Sequence, residues 1–122
     1  MKTSDVLAAL AALSQEHRLA IYRLLVEHGH EGLTAGAIAE RIGIPPATLS
    51  FHLDKLASAG LIVARQESRF IWYRADFEAM TGLIAYMTEN CCRSSAACDA
   101  ACTPAAAAPP VAPKRPAPTR RR

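Results

Sequence analysis

The most constraining stretch of the chain is residues 35–60, where two short helical segments are separated by only Gly43-Ile44-Pro45. Thr34 can cap a helix over 35–42, and Gly43 can stop it. Pro46 suits the first position of the next helix, where its missing N–H costs nothing. That helix reads on through Leu49, Phe51, Leu53 and Leu56 to Gly60. Two helices joined so tightly must cross steeply rather than run side by side, and the small Ala39 suits a close crossing.

The surrounding pattern completes a domain. Ser4 is placed to cap a helix over about 5–13, with Val6, Leu7, Leu10 and Leu13 at helical spacing. Ser14 is placed to cap a second, ending at His28-Gly29, with Leu19, Tyr22, Leu25 and Val26 as its stripe. After Gly60 the residues become branched and aromatic over 61–65 and 69–74, with Gln66-Glu67-Ser68 between them, which predicts a hairpin. Asp76 can cap a fifth helix bearing Phe77, Met80, Leu83, Ile84 and Met87. The expected fold is mainly α with a β-hairpin wing, a winged helix-turn-helix over residues 1–90. A core of this size is marginal alone, so a shared core in a homodimer is expected.

Residues 91–102 form a second segment rich in cysteine, and 103–122 a third of Ala, Pro, Lys and Arg with almost nothing to bury. The last is expected to be disordered. The net charge of +3 is unevenly placed. Residues 1–90 carry 8 Lys/Arg against 10 Asp/Glu, and 91–122 carry 6 against 1. A nucleic-acid surface on the domain must therefore be a local patch rather than a global field. The basic end, with Lys114-Arg115 and Arg120-Arg121-Arg122, can add salt-sensitive DNA affinity or simply solubilise the chain. Asp5 interrupts the charged start and the apolar run after it, Val6 to Leu13, is only eight residues, so a secretory signal is not expected, and no stretch reaches membrane-spanning length. A cytoplasmic location is expected, where cysteines stay reduced.

On the fourth helix Thr48, Ser50, His52 and Lys55 occupy positions that the Leu49/Leu53/Leu56 stripe does not need. Short hydroxyls and an imidazole can reach base edges, and Lys55 can pair with phosphate. Arg65 and Arg69 in the hairpin can reach phosphates or an adjacent minor groove. The plainer reading of each is an ordinary solvated surface. His28-Gly29-His30, between Glu27 and Glu31, is best read as a solvated turn rather than a metal cluster, and His17 as a surface or interface residue.

The four cysteines fall at 91, 92, 98 and 102, directly after the fifth helix. Thiolates select soft or borderline acceptors. Cys91 and Cys92 are adjacent and can share one centre if the helix end relaxes, and the spacer is long enough to fold Cys98 back at little entropic cost. Three sulfurs suit the pyramid of trivalent arsenic or antimony, whereas four, with Cys102, suit zinc or cadmium. A reversible disulfide between Cys92 and Cys98 would instead make a redox or persulfide sensor.

The run Ile42-Gly43-Ile44-Pro45-Pro46-Ala47-Thr48-Leu49-Ser50-Phe51-His52-Leu53-Asp54-Lys55-Leu56, followed by Ala59-Gly60-Leu61-Ile62, closely resembles the recognition segment of the ArsR/SmtB family. The hairpin over 65–73 resembles that family's wing, and the likeness extends over about residues 5–92. It implies a homodimeric repressor on double-stranded operator DNA that leaves when inducer binds. It also implies a dimer seam of first and last helices, here Leu7, Leu10, Phe77, Met80, Ile84 and Met87. Two recognition helices would then meet successive major grooves about 34 Å apart. Two sensor sites common in the family are missing: the third helix has no Cys-x-Cys and the fifth has no His. The pattern Cys-Cys-x5-Cys resembles the arsenic-sensing branch and implies that Cys91, Cys92 and Cys98 take As(III) or Sb(III) as inducer. Cys102 has no counterpart there. An enzyme is not expected, since His52 has no nucleophile near it and the thiols no local base. A metal-buffering protein is the remaining alternative.

Overall fold

Thr34 ends a short strand and caps the helix that follows it, and this double use sets the geometry of the whole domain. In the computed structural model, which describes residues 1–94, the elements are α1 (Thr3–Leu13), α2 (Glu16–Glu27), β1 (Leu33–Thr34), α3 (Ala35–Ile42), α4 (Pro46–Ser58), β2 (Ile62–Glu67), β3 (Phe70–Ala75) and α5 (Phe77–Thr88). Thr34 Oγ1 accepts from the Ala37 N–H at 3.3 Å. Its strand pairs antiparallel with β3, Leu33 opposite Tyr73 and Thr34 opposite Trp72. The hairpin β2–β3 is thereby extended to a three-stranded sheet of order β1-β3-β2. Strand β1 leaves no pattern in the sequence, because two residues are too few to show an alternation.

The chain reaches β1 through Gly32, whose φ is +75°. A Cβ there would collide with the Tyr73 carbonyl oxygen, so only glycine lets the backbone pass this close to β3. Gly43 ends α3 in the left-handed conformation, its N–H donating to Ala39 O at 2.8 Å.

The core gathers Ile21, Tyr22 and Leu25 of α2, Ile38 of α3, Leu49, Leu53 and Leu56 of α4, and Leu61 and Ile62 at the start of the wing. Several expected stripes are rotated. On α1 the buried residues are Val6, Ala9 and Ala12, and Leu7 and Leu10 are exposed. Small alanines let α1 lie close to its neighbours, which turns the leucines outward. On α2, Ile21 replaces Leu19 and Val26 in the buried stripe.

Caps show the same mixture. Asp76 caps α5 as expected, its carboxylate accepting from the N–H groups of Glu78 and Ala79 at 3.1 and 3.2 Å. Gln15 rather than Ser14 caps α2, with its Oε1 accepting from Arg18 N–H at 2.9 Å. Helix α1 starts before Ser4, with the Lys2 N–H donating to Asp5 at 3.2 Å. No helix among the described residues is long and apolar enough to cross a membrane.

Candidate nucleic-acid interface and thiol pair

Helix α4 is aimed by the turn before it. Ile44 N–H donates to Ala39 O at 3.3 Å, and Leu49 N–H to Pro45 O at 2.9 Å, so the turn is tied to both helices. Leu49, Leu53 and Leu56 anchor α4 in the core, and Thr48, Ser50 and Lys55 lie exposed as the sequence predicted.

His52 does not join them. It is only 6% exposed, packed inward beside the leucines. The reason is angular: at 100° per residue, position 52 lies beside 49, 53 and 56. Arg18 Nη1 donates to His52 Nδ1 at 3.3 Å, Arg18 Nε donates to Ala12 O at 2.7 Å, and the His17 ring centroid is 5.6 Å from that of His52. Burial first, then the Arg18 and His17 charges, hold the His52 pKa below the ordinary histidine value. A neutral, buried imidazole is a brace between α4 and the start of α2, not a base reader in this arrangement.

Phe51, which the sequence places neither in the Leu49/Leu53/Leu56 stripe nor among the DNA-facing residues, is 54% exposed. Two positions from Leu49, it falls on the opposite face of the helix, and that spacing was the available signal. Its ring lies 5.3 Å below Lys55 Nζ and edge-on to His52 at 5.5 Å.

The wing is tighter than expected. Strand β2 continues through Glu67 and β3 resumes at Phe70, leaving Ser68-Arg69 as a two-residue turn. Ser68 has φ +59°, as a two-residue hairpin turn demands at its first central position. Arg69 therefore sits exposed at the tip rather than in the strand. Arg65 is held against the sheet, its Nε 3.0 Å from the Glu67 carboxylate and its guanidinium 5.6 Å from the Trp72 ring centroid.

On the far side, α5 buries Leu83, half-buries Phe77, Met80 and Ile84, and leaves Met87 exposed. It is linked to α1 by a 2.6 Å hydrogen bond between Thr3 and Tyr86 hydroxyls. The exposed Leu7, Leu10 and Met87 thus belong to two neighbouring helices.

Helix α5 ends at Thr88, before the cysteines, so no helical turn has to unwind to bring the first two together. Cys91 N–H donates to Thr88 O at 3.0 Å, and Asn90 and Cys92 both have φ +62°. The sulfurs of Cys91 and Cys92 lie 3.7 Å apart. Arg93 folds back on Asn90, its Nη1 donating to Oδ1 at 3.0 Å. Cys98 and Cys102, the rest of the 91–102 segment and the 103–122 tail lie outside the described residues, apart from Arg93 and Ser94. Among residues 1–94 no group of three or more His, Cys, Asp or Glu is placed to hold a metal ion. His28 and His30 diverge accordingly: His28 Nδ1 donates to Leu24 O at 3.1 Å, and His30 packs edge-on against Phe77.

Residues 13–65 match the family described as helix-turn-helix domain. The chain carries a winged helix-turn-helix domain. An ArsR-like transcriptional regulator from Rhodococcus sp. RHA1 is 28% identical, with a TM-score of 0.62 over 71% of this chain and 78% of that one. The solved homodimeric winged helix-turn-helix domain of a possible ArsR-family transcriptional regulator from Mycobacterium bovis is 25% identical, with a TM-score of 0.58 over 79% of this chain and 89% of that one. Nodulation protein NolR of Rhizobium meliloti is 29% identical over 80 residues, which is 66% of this chain and 63% of that protein's length. These likenesses support the ArsR/SmtB resemblance of the winged-helix domain. They carry no information on the thiols.

Proposed function

We propose that this chain is an ArsR-type transcriptional repressor that binds operator DNA as a homodimer and lets go when trivalent arsenic or antimony is captured by Cys91, Cys92 and Cys98. The DNA half rests on a braced α4 with an exposed face next to a short basic-tipped wing, and on relatives described as regulators. The observation that carries the sensing half is the 3.7 Å separation of the two sulfurs directly after α5. Two thiolates on one zinc-type tetrahedral centre are themselves about 3.8 Å apart, so the spacing supports a shared soft acceptor in general, and the choice of trivalent arsenic or antimony rests on the Cys-Cys-x5-Cys resemblance. The third sulfur would come from Cys98.

The coupling route follows from adjacency. The thiols follow α5, which is bonded to α1 through Thr3 and Tyr86, and the exposed Met87 of the one helix and Leu7 and Leu10 of the other belong to the proposed dimer seam. Drawing the chain after α5 around a ligand changes that seam and with it the spacing of the two recognition helices. A coupling of about 1–3 kcal/mol is the usual range for such linked sites.

Gel retardation of a selected duplex by the full chain, titrated with arsenite, antimonite, zinc and cadmium, tests both halves. Release by arsenite or antimonite, abolished in Cys91→Ser, Cys92→Ser and Cys98→Ser, is the expected result. Failure to retard any duplex in a sequence-specific way would sink the repressor reading. Release only by zinc, cadmium or an oxidant would sink the metalloid reading and leave the repressor standing.

A further inference from the structure

The centre of the exposed face of α4 is an aromatic ring, and that is an unusual tip for a helix otherwise lined with small polar groups. At 100° per residue Phe51 lies about 200° from Leu49, nearly opposite the core anchor, while Thr48, Ser50 and Lys55 stand to either side. If α4 enters a major groove, Phe51 points most directly at its floor. Its ring is also held in place from two directions, by Lys55 Nζ at 5.3 Å and by the buried His52 ring at 5.5 Å. His52 is in turn fixed by Arg18. A phenyl ring has no hydrogen-bonding group, so it cannot read a donor–acceptor pattern. In the major groove the one apolar feature of the bases is the C5-methyl group of thymine.

We propose that Phe51 is a specificity-determining residue that recognises thymine through its C5-methyl group, at one position in each half-site. This rests on the DNA-binding reading above and deepens it. Lys55 serves the contact twice, by orienting the ring and by placing its ammonium toward phosphate.

The test is a thymine-to-deoxyuridine scan, which removes only the methyl group. Duplexes selected from a randomised library by the full chain are remade with each thymine in turn replaced. Binding of wild type, Phe51→Ala and Phe51→Leu is measured, with thermal melting to confirm that each variant folds. Wild type should lose about three- to fivefold in affinity at one thymine per half-site, the scale of burying one methyl group. Phe51→Ala should be indifferent to that replacement, and Phe51→Leu should keep part of the response. A wild type indifferent at every thymine, or a Phe51→Ala variant with the full wild-type response, overturns this inference alone. Selection of no preferred duplex overturns the DNA-binding reading, and this inference with it.

Discussion

Arg18 donates a 3.3 Å hydrogen bond to Nδ1 of His52, joining the first turn of α2 to the middle of the helix proposed to read DNA. Because a guanidinium can only donate, Nδ1 must accept, which leaves the proton of the neutral ring on Nε2. The brace therefore exists only while His52 is neutral.

A pH dependence follows. The folded pKa of His52 is lowered, by burial and then by Arg18 and His17, from the ordinary value of 6.5. Between these two values the unfolded chain binds a proton that the folded chain does not. The contribution is therefore fully present above pH 6.5 and is lost as pH falls below it towards the folded pKa. Thermal melts at pH 7.5 and 5.5 should show a larger drop in Tm for wild type than for His52→Gln, whose side-chain oxygen can still accept from Arg18. Equal drops in the two proteins would mean that His52 does not carry this linkage.

Gly32 and Gly43 both have positive φ, yet substitution should separate them. A Cβ on Gly43 meets open space, so Gly43→Ala pays only for the left-handed backbone, about 1–2 kcal/mol. A Cβ on Gly32 meets the Tyr73 carbonyl as well, and either β1 or β3 must move. Gly32→Ala should therefore cost about 3 kcal/mol or more, as backbone strain adds to a clash that no rotamer relieves. Urea unfolding of the two variants measures the difference, and similar midpoints would argue against the tight passage beside β3.

Tyr22 presents the opposite case, a polar atom whose removal should do little harm. Its hydroxyl is buried without a hydrogen-bond partner among the described residues, and burial together with the nearby Asp76 carboxylate pushes its pKa up to about 12. Deleting an unsatisfied buried hydroxyl removes a desolvation penalty of about 1–3 kcal/mol while leaving the ring packing intact. Tyr22→Phe should thus raise Tm or leave it unchanged. A clear fall in Tm would reveal a hydrogen bond to this oxygen.

The parts of the fold that were legible in the sequence are those written in local chemistry. Thr34, Gly43, Pro46 and Asp76 act on residues within four positions of themselves, and each sits where its side chain or backbone dictates. What was not legible depends on partners far along the chain. The angle of position 52 beside 49, 53 and 56 is local, but the partner that makes its imidazole a brace, Arg18, lies 34 residues earlier. Leu7 and Leu10 carried the hydrophobicity of α1, but Ala9 and Ala12 were buried because a close helix neighbour favours small side chains. The Cys91–Cys92 pair was legible as adjacent thiols just beyond α5, whereas the left-handed backbone at Asn90 and Cys92 that sets their sulfurs side by side was not, since no glycine marks it.

The rotated stripe of α1 yields the last expectation. Leu7 is 61% exposed and Met87 59%, on helices joined by the Thr3–Tyr86 hydrogen bond, and together they form the apolar side of the proposed dimer seam. In a two-fold dimer each is buried twice. At about 1.5 kcal/mol or more per buried side chain, Leu7→Glu or Met87→Glu should raise the dimer Kd by about a hundredfold. Leu19→Glu, also on an exposed apolar side chain but on α2, should leave it near wild type. Sedimentation equilibrium on the three variants separates a specific seam from general surface hydrophobicity. Equal weakening by all three, or none by Leu7→Glu and Met87→Glu, would place the dimer contact elsewhere. That outcome would also remove the link by which thiols after α5 can alter the spacing of the two α4 helices, because a ligand there would act on a surface the partner does not touch.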